Sequence, residues 1–310
     1  MNPSTLPRRR LGRTGYDVTA LGLGGAHLGR TESGFDDELA VATVHRALEL
    51  GINLIDTAPY YGDSQRRIGL ALSQWYERGG RRDELYLSTK TGRLPDGQSY
   101  YSADETYRGV EDSLRLLDTD YLDMVLVHDP SDLTPVLETG GALEALVELR
   151  QQGVIRAIGA GLRPHVFHQR LMETGQLDVC LTFCDYNLLD QSAAAGVLEP
   201  AAEHDVGVLN GAAVMLGLLG GEDPRVVARR LGGFATDQRV TRAVELWQWA
   251  RQSNVSLLAV NLQFCMRETR IGSTLVGAAT PSEVEADVAA ACQPLPEATW
   301  GELRDRFGIG

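Results

Sequence analysis

Residues 37–56 read DELAVATVHRALELGINLID, and they divide into a helix, a stop and a strand. Over Asp37 to Leu50, the residues Leu39, Ala40, Thr43, Ala47 and Leu50 fall on one helical face, the spacing of a helix that packs one stripe against a core. Gly51 stands where a helix C-cap calls for a left-handed residue. Ile52 to Asp56 then supplies a short apolar run of strand length. The same alternation recurs along the chain. Predicted strands are Ala20 to Gly24, Ile52 to Asp56, Glu84 to Lys90, Tyr121 to His128, Val154 to Gly159, Asp178 to Phe183, Val206 to Asn210 and Ser273 to Gly277. Helical stretches such as Glu144 to Gln151, closed by Gly153, separate them. Strands separated by helices run parallel, so these eight predict a closed α/β (β/α)8 TIM barrel over an open doubly wound sheet. An N-terminal β-hairpin is expected around Arg13-Thr14-Gly15.

No Pro/Ser-rich linker or composition shift divides residues 1–310, which are read as one domain. With 43% apolar residues, a chain of this length buries roughly 75% of its unfolded surface. The net charge of −13, from 42 acidic against 29 basic residues, argues against a nucleic-acid groove or an anionic membrane as partner and leaves a small uncharged or cationic ligand as the expected one. Three arginines at positions 8 to 10 are followed by no apolar stretch, so neither a signal peptide nor a membrane anchor is expected and a cytoplasmic location is. Cys180, Cys184, Cys265 and Cys292 match no redox or zinc spacing and read as reduced core residues. His165 and His168 read as structural, and no metal site is expected. Gly211 to Gly233 is the longest stretch without clear period and is expected to be an active-site loop.

All 29 basic residues except Lys90 are arginine. Biased codon usage alone can strip lysine from a chain, but Lys90 also ends the apolar run from Leu85, where a buried strand delivers a side chain to the rim of a barrel. In a (β/α)8 barrel the chemistry gathers at the carboxyl ends of the strands. The neighbouring strand ends supply Asp56, with Tyr60 and Tyr61 in the loop after it, and His128. Lysine is a compact charge whose pKa moves on burial. A lysine about 4 Å from a tyrosine supplies roughly the 4 kcal/mol needed to lower the phenol by about three units. Asp56 would keep Lys90 charged, and His128 would orient a substrate oxygen. The set reads as a proton relay for an alcohol or carbonyl oxygen. On this reading Lys90→Arg cripples turnover and leaves the fold intact.

The motifs Gly51-Ile-Asn-Leu-Ile-Asp56-Thr-Ala-Pro-Tyr-Tyr61-Gly62, Leu87-Ser-Thr-Lys90 and Tyr121-Leu-Asp-Met-Val-Leu-Val-His128 resemble those of the aldo-keto reductase superfamily, and the resemblance runs from about Arg10 to Asp287. It implies a catalytic tetrad of Asp56, Tyr61, Lys90 and His128, with Tyr61 as acid/base. It also implies a nicotinamide dinucleotide held without a Rossmann domain, which fits Gly22-Leu23-Gly24-Gly25, a run that lacks the GxGxxG spacing. His128-Asp129, Tyr186 with Leu188-Leu189-Asp190, and Val208-Leu-Asn210-Gly-Ala resemble the branch of sugar dehydrogenases acting on L-galactose, L-fucose and D-threo-aldoses. The chain departs from that pattern at Gly211-Ala212-Ala213-Val214, where related proteins often have a proline. Many superfamily members place an aromatic there; here stacking comes from Phe183 or not at all. By the same resemblance Gly159, Ala160 and Gly161 lie on the carboxamide side of the cofactor, although the usual serine-asparagine pair is absent. Asn210, Gly277, Thr280, Glu283 and Asp287 are further cofactor candidates.

Members that use NADPH commonly carry a cation at the place of Ala279, and recognition of the 2′-phosphate needs one. Glu283 and Asp287 are acidic instead, so NAD is expected over NADP, and with it oxidation of an aldose at C1 to the lactone. His27, Tyr60 and Asp129 are candidate contacts to sugar hydroxyls. A carbonyl or ketoreductase acting on a non-sugar substrate uses the same relay, and a cofactor-binding regulatory protein is a further alternative. The oligomeric state is not legible.

Overall fold

The computed structural model describes residues 6–30 and 35–310. Strands β1 (Arg8–Leu11) and β2 (Tyr16–Thr19) pair antiparallel as the expected hairpin, turning through Gly15 at φ +70°. Eight more strands follow: β3 (Leu21–Gly24), β4 (Leu54–Asp56), β5 (Tyr86–Thr91), β6 (Leu122–His128), β7 (Ile155–Gly161), β8 (Val179–Phe183), β9 (Gly207–Gly211) and β10 (Ile271–Val276). They close into a parallel barrel in chain order, with β10 pairing both β9 and β3. Every predicted strand is present, with its ends moved by a residue or two. β4 starts at Leu54 instead of Ile52: the Ile52 amide is spent on the helix end, donating to Ala47 O at 3.0 Å, while Asn53 accepts from Tyr86 N through its carbonyl and from Thr19 N through its carboxamide, each at 2.7 Å.

The helix over Asp37–Glu49 begins at Asp36, whose side chain accepts from the Leu39 amide. It ends in a Schellman motif. Gly51 N–H donates to Leu48 O and Ile52 N–H to Ala47 O, with Gly51 at φ +89°. Gly153 and Val154 close the helix Ala142–Gln151 the same way. The stretch Gly211 to Gly233 is not loop throughout, since Pro224–Leu231 is a helix started by the Asp223 carboxylate. Its arginine-rich sequence buries Pro224 and Val227 and packs Ala228 and Leu231 partly against the core, a stripe too short to print a period.

Side chains sort into two shells. Inside the barrel lie Leu54, Met124, Leu126, Ala157, Val179, Leu181, Leu209 and Leu275. Residues of the opposite parity, such as Val125, Val127, Ile158 and Ala160, pack outward under the helices. The hairpin seals the amino end of the barrel, with Leu11 and Val18 fully buried in the interior shell. Two glycines make room for Leu11: a Cβ on Gly207 would meet its Cγ at 2.6 Å, and one on Gly272 its Cδ1 at 2.7 Å. At the same end Tyr121 is sandwiched between the guanidiniums of Arg82 and Arg156, 4.0 and 3.7 Å from its ring centre, and both arginines reach the buried Asp123. The carboxyl end is left open for chemistry. No helix among the described residues is long and apolar enough to cross a membrane.

Candidate active site

Asp56 closes β4, Lys90 stands next to last in β5, and His128 closes β6, so three successive strands present them at one rim. Tyr61 ends the short 3-10 turn Pro59–Tyr61 after β4. Lys90 and Asp56 are almost wholly buried. The Lys90 Nζ donates to Asp56 Oδ2 at 2.5 Å and to Thr57 O at 2.8 Å, while Ser88 Oγ donates to Asp56 Oδ1 at 2.8 Å. Its stem passes Gly161, where a Cβ would touch Cε at 3.5 Å. The ammonium lies 4.9 Å from the Tyr61 ring centre, and His128 meets that ring edge-on at 5.8 Å. Tyr101 Oη donates to His128 O at 2.8 Å and fixes the end of β6.

Burial pulls Lys90 down, but Asp56 and then Tyr61 outweigh it, and the group stands above its ordinary pKa. It is a cation at neutral pH. Tyr61 departs from the sequence expectation. Burial raises its pKa, Lys90 lowers it, Asp56 raises it again, and the balance lies above 10, so the phenol is protonated. A lysine's charge already committed to a carboxylate 2.5 Å away has less left for a desolvated phenol. His128 is pushed down to about 2 by burial and then by Lys90, Arg93 and Arg163. Its ring is neutral, and its buried Nδ1 has no hydrogen-bond partner among the described residues.

A cavity of about 450 Å³ is lined by Asp56 and Tyr61 and by Glu283, Ala286 and Asp287 of the helix Pro281–Cys292. His27, Phe183 and Gly277 line it, and a ring nitrogen of His27 bonds Gly277 O. Glu283 accepts from the Ala279 amide at 2.6 Å, and half-buried Asp287 is pushed up to about 7 by burial and by Glu283. Thr280 is occupied as the N-cap of that helix. Gly159, Ala160, Gly161 and Asn210 do not line the cavity. The Ala160 methyl faces the outer shell, Gly159 makes room for Leu126, and Asn210 lies buried with Nδ2 donating to Tyr186 O at 3.0 Å. Both oxygens of Asp129 are taken by Arg93 and Arg163, and Tyr60 lies under the Arg93 guanidinium at 3.9 Å.

Sequence reasoning missed Arg30, which lines the cavity from the loop after β3, and the Arg93–Asp129–Arg163 cluster beside it. These are loop residues without period. The only signal for them was position shortly after a strand end. Among the described residues no group of three or more His, Cys, Asp or Glu stands where it could hold a metal ion. His165 bonds Asp185 at 2.8 Å and His168 bonds Leu162 O at 3.1 Å.

Comparison with known proteins places this eight-stranded parallel barrel in a family of oxidoreductases. Residues 20–305 match the model of the Aldo/keto reductase family, and the chain belongs to that family, whose members use nicotinamide cofactors. The chain is similar to D-threo-aldose 1-dehydrogenase of a Pseudomonas species, 29% identical over 94% of each chain. It is 31% identical to L-galactose dehydrogenase of Arabidopsis thaliana, over 91% of this chain and 87% of that one. Among solved structures, the holo form of an aldo-keto reductase from Bacillus halodurans superposes with a TM-score of 0.76 at 27% identity, covering 97% of this chain and 96% of the other.

Proposed function

We propose that this protein oxidises an aldose at C1 to the lactone, with NAD preferred over NADP. The observation that carries the reading is the convergence of Lys90 and His128 on Asp56 and Tyr61, which line a cavity that also takes in the acidic Glu283 and Asp287. The cavity's extent and its glycines at 24, 211, 217, 220 and 277 suit an extended ligand lying close to backbone, as a dinucleotide must. A nicotinamide dinucleotide bound there would take up the hydride as the C1–H bond breaks. In the fraction of molecules where Tyr61 has lost its proton to solvent, its phenolate, stabilised by Lys90, accepts the C1 hydroxyl proton, Asp56 holds Lys90 charged, and neutral His128 donates a hydrogen bond to the substrate oxygen. Glu283 and Asp287 favour a ribose hydroxyl over a phosphate.

One observation favours the opposite direction. A phenol whose pKa stands above 10 is an acid at neutral pH, suited to protonating a carbonyl oxygen, so reduction of a carbonyl compound is the second reading. A panel of aldoses, simple alcohols and aldehydes, each with NAD and NADP or their reduced forms, decides between them by absorbance of the reduced cofactor. The aldose reading expects lactone formation that is fastest with NAD, rises with pH above neutrality and is lost in Tyr61→Phe. Efficient aldehyde reduction with no aldose oxidation would replace it with the reductase reading.

A further inference from the structure

The rim beside His128 carries more positive charge than its own carboxylate cancels. Arg93 follows β5, Asp129 follows β6 and Arg163 follows β7, so three successive loops meet at one carboxylate. Arg93 Nη1 reaches Asp129 Oδ2 at 3.2 Å, and Arg163 Nε reaches the two oxygens at 3.2 and 3.0 Å, with its Nη2 also on Oδ2. Two guanidiniums share one anion, leaving one unit of charge over. Asp129 is held at φ +52°, a left-handed conformation uncommon for a residue other than glycine. Arg163 is the more exposed arginine, with its side chain 60% accessible against 26% for Arg93, and its Nη1 has no hydrogen-bond partner among the described residues.

This charge sits next to the reacting groups. Arg93 stacks on Tyr60 at 3.9 Å and donates to its Oη at 3.2 Å, and the Tyr60 ring in turn meets His128 at 5.9 Å and Tyr61 at 6.3 Å. Arg163 lies 5.9 Å from the ring centre of Phe183, which lines the cavity. At His128 the charges that act are Lys90, Arg93 and Arg163, all cationic, while at Tyr61 the carboxylates of Asp56 and Asp129 act against Lys90. The surplus cation therefore lies on the Arg93–Asp129–Arg163 side of the rim, and in a chain of net charge −13 it draws an anion there. A loop-tying ion pair needs one arginine for one carboxylate; the second, with an unengaged edge facing outward, is the arrangement of a fork that grips an oxyanion.

We propose that the substrate carries an anionic group, a carboxylate or a phosphate, away from its reacting carbon, and that Arg163 with Arg93 binds it. This inference rests on the aldose-oxidising reading and narrows its substrate to an acidic or phosphorylated sugar.

The test uses the full chain and matched pairs: D-glucuronate against D-glucose for the carboxylate arm, D-glucose 6-phosphate against D-glucose for the phosphate arm, with succinic semialdehyde against butanal in the reductive direction. Hydrogen bonds to charged groups predict a kcat/KM about tenfold to a hundredfold higher for at least one anionic partner. Its KM should rise with salt while the neutral partner's does not. Arg163→Gln should bring the preference below about threefold, chiefly through KM, and Arg163→Lys should keep part of it, a graded response that a purely structural role would not give. Equilibrium binding of D-glucuronate and D-glucose 6-phosphate by calorimetry, to wild type and Arg163→Gln, reads the same site without turnover. Charge preference that survives Arg163→Gln and Arg163→Lys unchanged, or turnover with neutral and anionic partners within about threefold, overturns the proposal while the aldose reading stands. Arg163-dependent binding of the anions without oxidation of any sugar would uphold the anion site and sink the aldose reading.

Discussion

Lys90 Nζ and Asp56 Oδ2 lie 2.5 Å apart in a setting where both side chains are almost wholly buried. A pair this deep is a requirement more than a gain, because removing one partner strands a charge. Asp56→Asn should therefore destabilise the protein by about 3 to 5 kcal/mol and lower kcat by about a hundredfold or more, read from urea denaturation and initial rates. The double substitution Asp56→Asn with Lys90→Met should recover much of the stability and none of the turnover.

The burial of Lys90 also changes what Lys90→Arg should do. From sequence the fold was expected to survive untouched, but a side chain 1% exposed, bounded by Thr57 O, Asp56 and the backbone of Gly161, has no space for a planar guanidinium. Overpacking of this kind costs about 1 to 3 kcal/mol, so the variant should lose stability together with turnover. Unchanged denaturation midpoint and rate would contradict both parts.

Two histidines make stability depend on pH in a definite direction. His128 is pushed down to about 2 and His168 to about 4, in each case first by burial. Between those values and the unfolded pKa near 6.5 the unfolded chain binds protons that the folded one refuses, so stability is complete above about 6.5 and falls as the pH drops through it. From pH 7.5 to 5.5 the two should together remove about 2 to 3 kcal/mol. Asp287, pushed up to about 7, works in the opposite sense over this range, so denaturation curves at the two pH values measure the loss in an Asp287→Asn background, where His128→Asn should roughly halve it. The same depression means that His128 contributes no ionisation limb to a rate profile near neutral pH.

Leu11 offers a control at the other end of the barrel. It is fully buried in holes left by Gly207 and Gly272. Leu11→Ala should cost about 2 to 5 kcal/mol in denaturation and leave kcat unchanged, because its contacts belong to the amino-end plug and not to the rim.

The barrel and the meeting of Asp56, Tyr61, Lys90 and His128 were legible because parallel strands in chain order convert sequence into neighbourhood. Residues that end successive strands must share a rim, whatever the helices between them do. Gly51 and Gly153 were legible for a local reason, since a helix end that turns left-handed favours glycine. Loop side chains follow no such rule. Arg30 comes to the cavity from one loop and Asp287 from the helix after β10, 257 positions apart in numbering (287 − 30), and Arg93 and Arg163 meet only through Asp129. Nor could the pKa of Tyr61 be read from the presence of a lysine, because the sign depends on how much of the phenol is desolvated and on where the lysine's charge is already spent.

Cofactor choice should shift with pH, and the direction follows from Asp287. Its carboxyl is pushed up to about 7 by burial and by Glu283, one helical turn away, so near pH 6 it is mostly protonated and near pH 8 mostly charged. A 2′-phosphate beside Glu283 and Asp287 meets one carboxylate at the lower pH and two at the higher. A ribose hydroxyl is indifferent to the change or gains a better acceptor. The NAD:NADP ratio of kcat/KM is therefore expected to rise roughly fivefold from pH 6 to pH 8, about the 1 kcal/mol that one added charge exerts through a screened groove. Asp287→Asn should make the ratio low and nearly independent of pH. Arg30 lines the same cavity. Removing its charge takes a cation from the space a 2′-phosphate would enter, so Arg30→Gln should raise the ratio at both pH values without altering its slope, because the slope belongs to Asp287 alone.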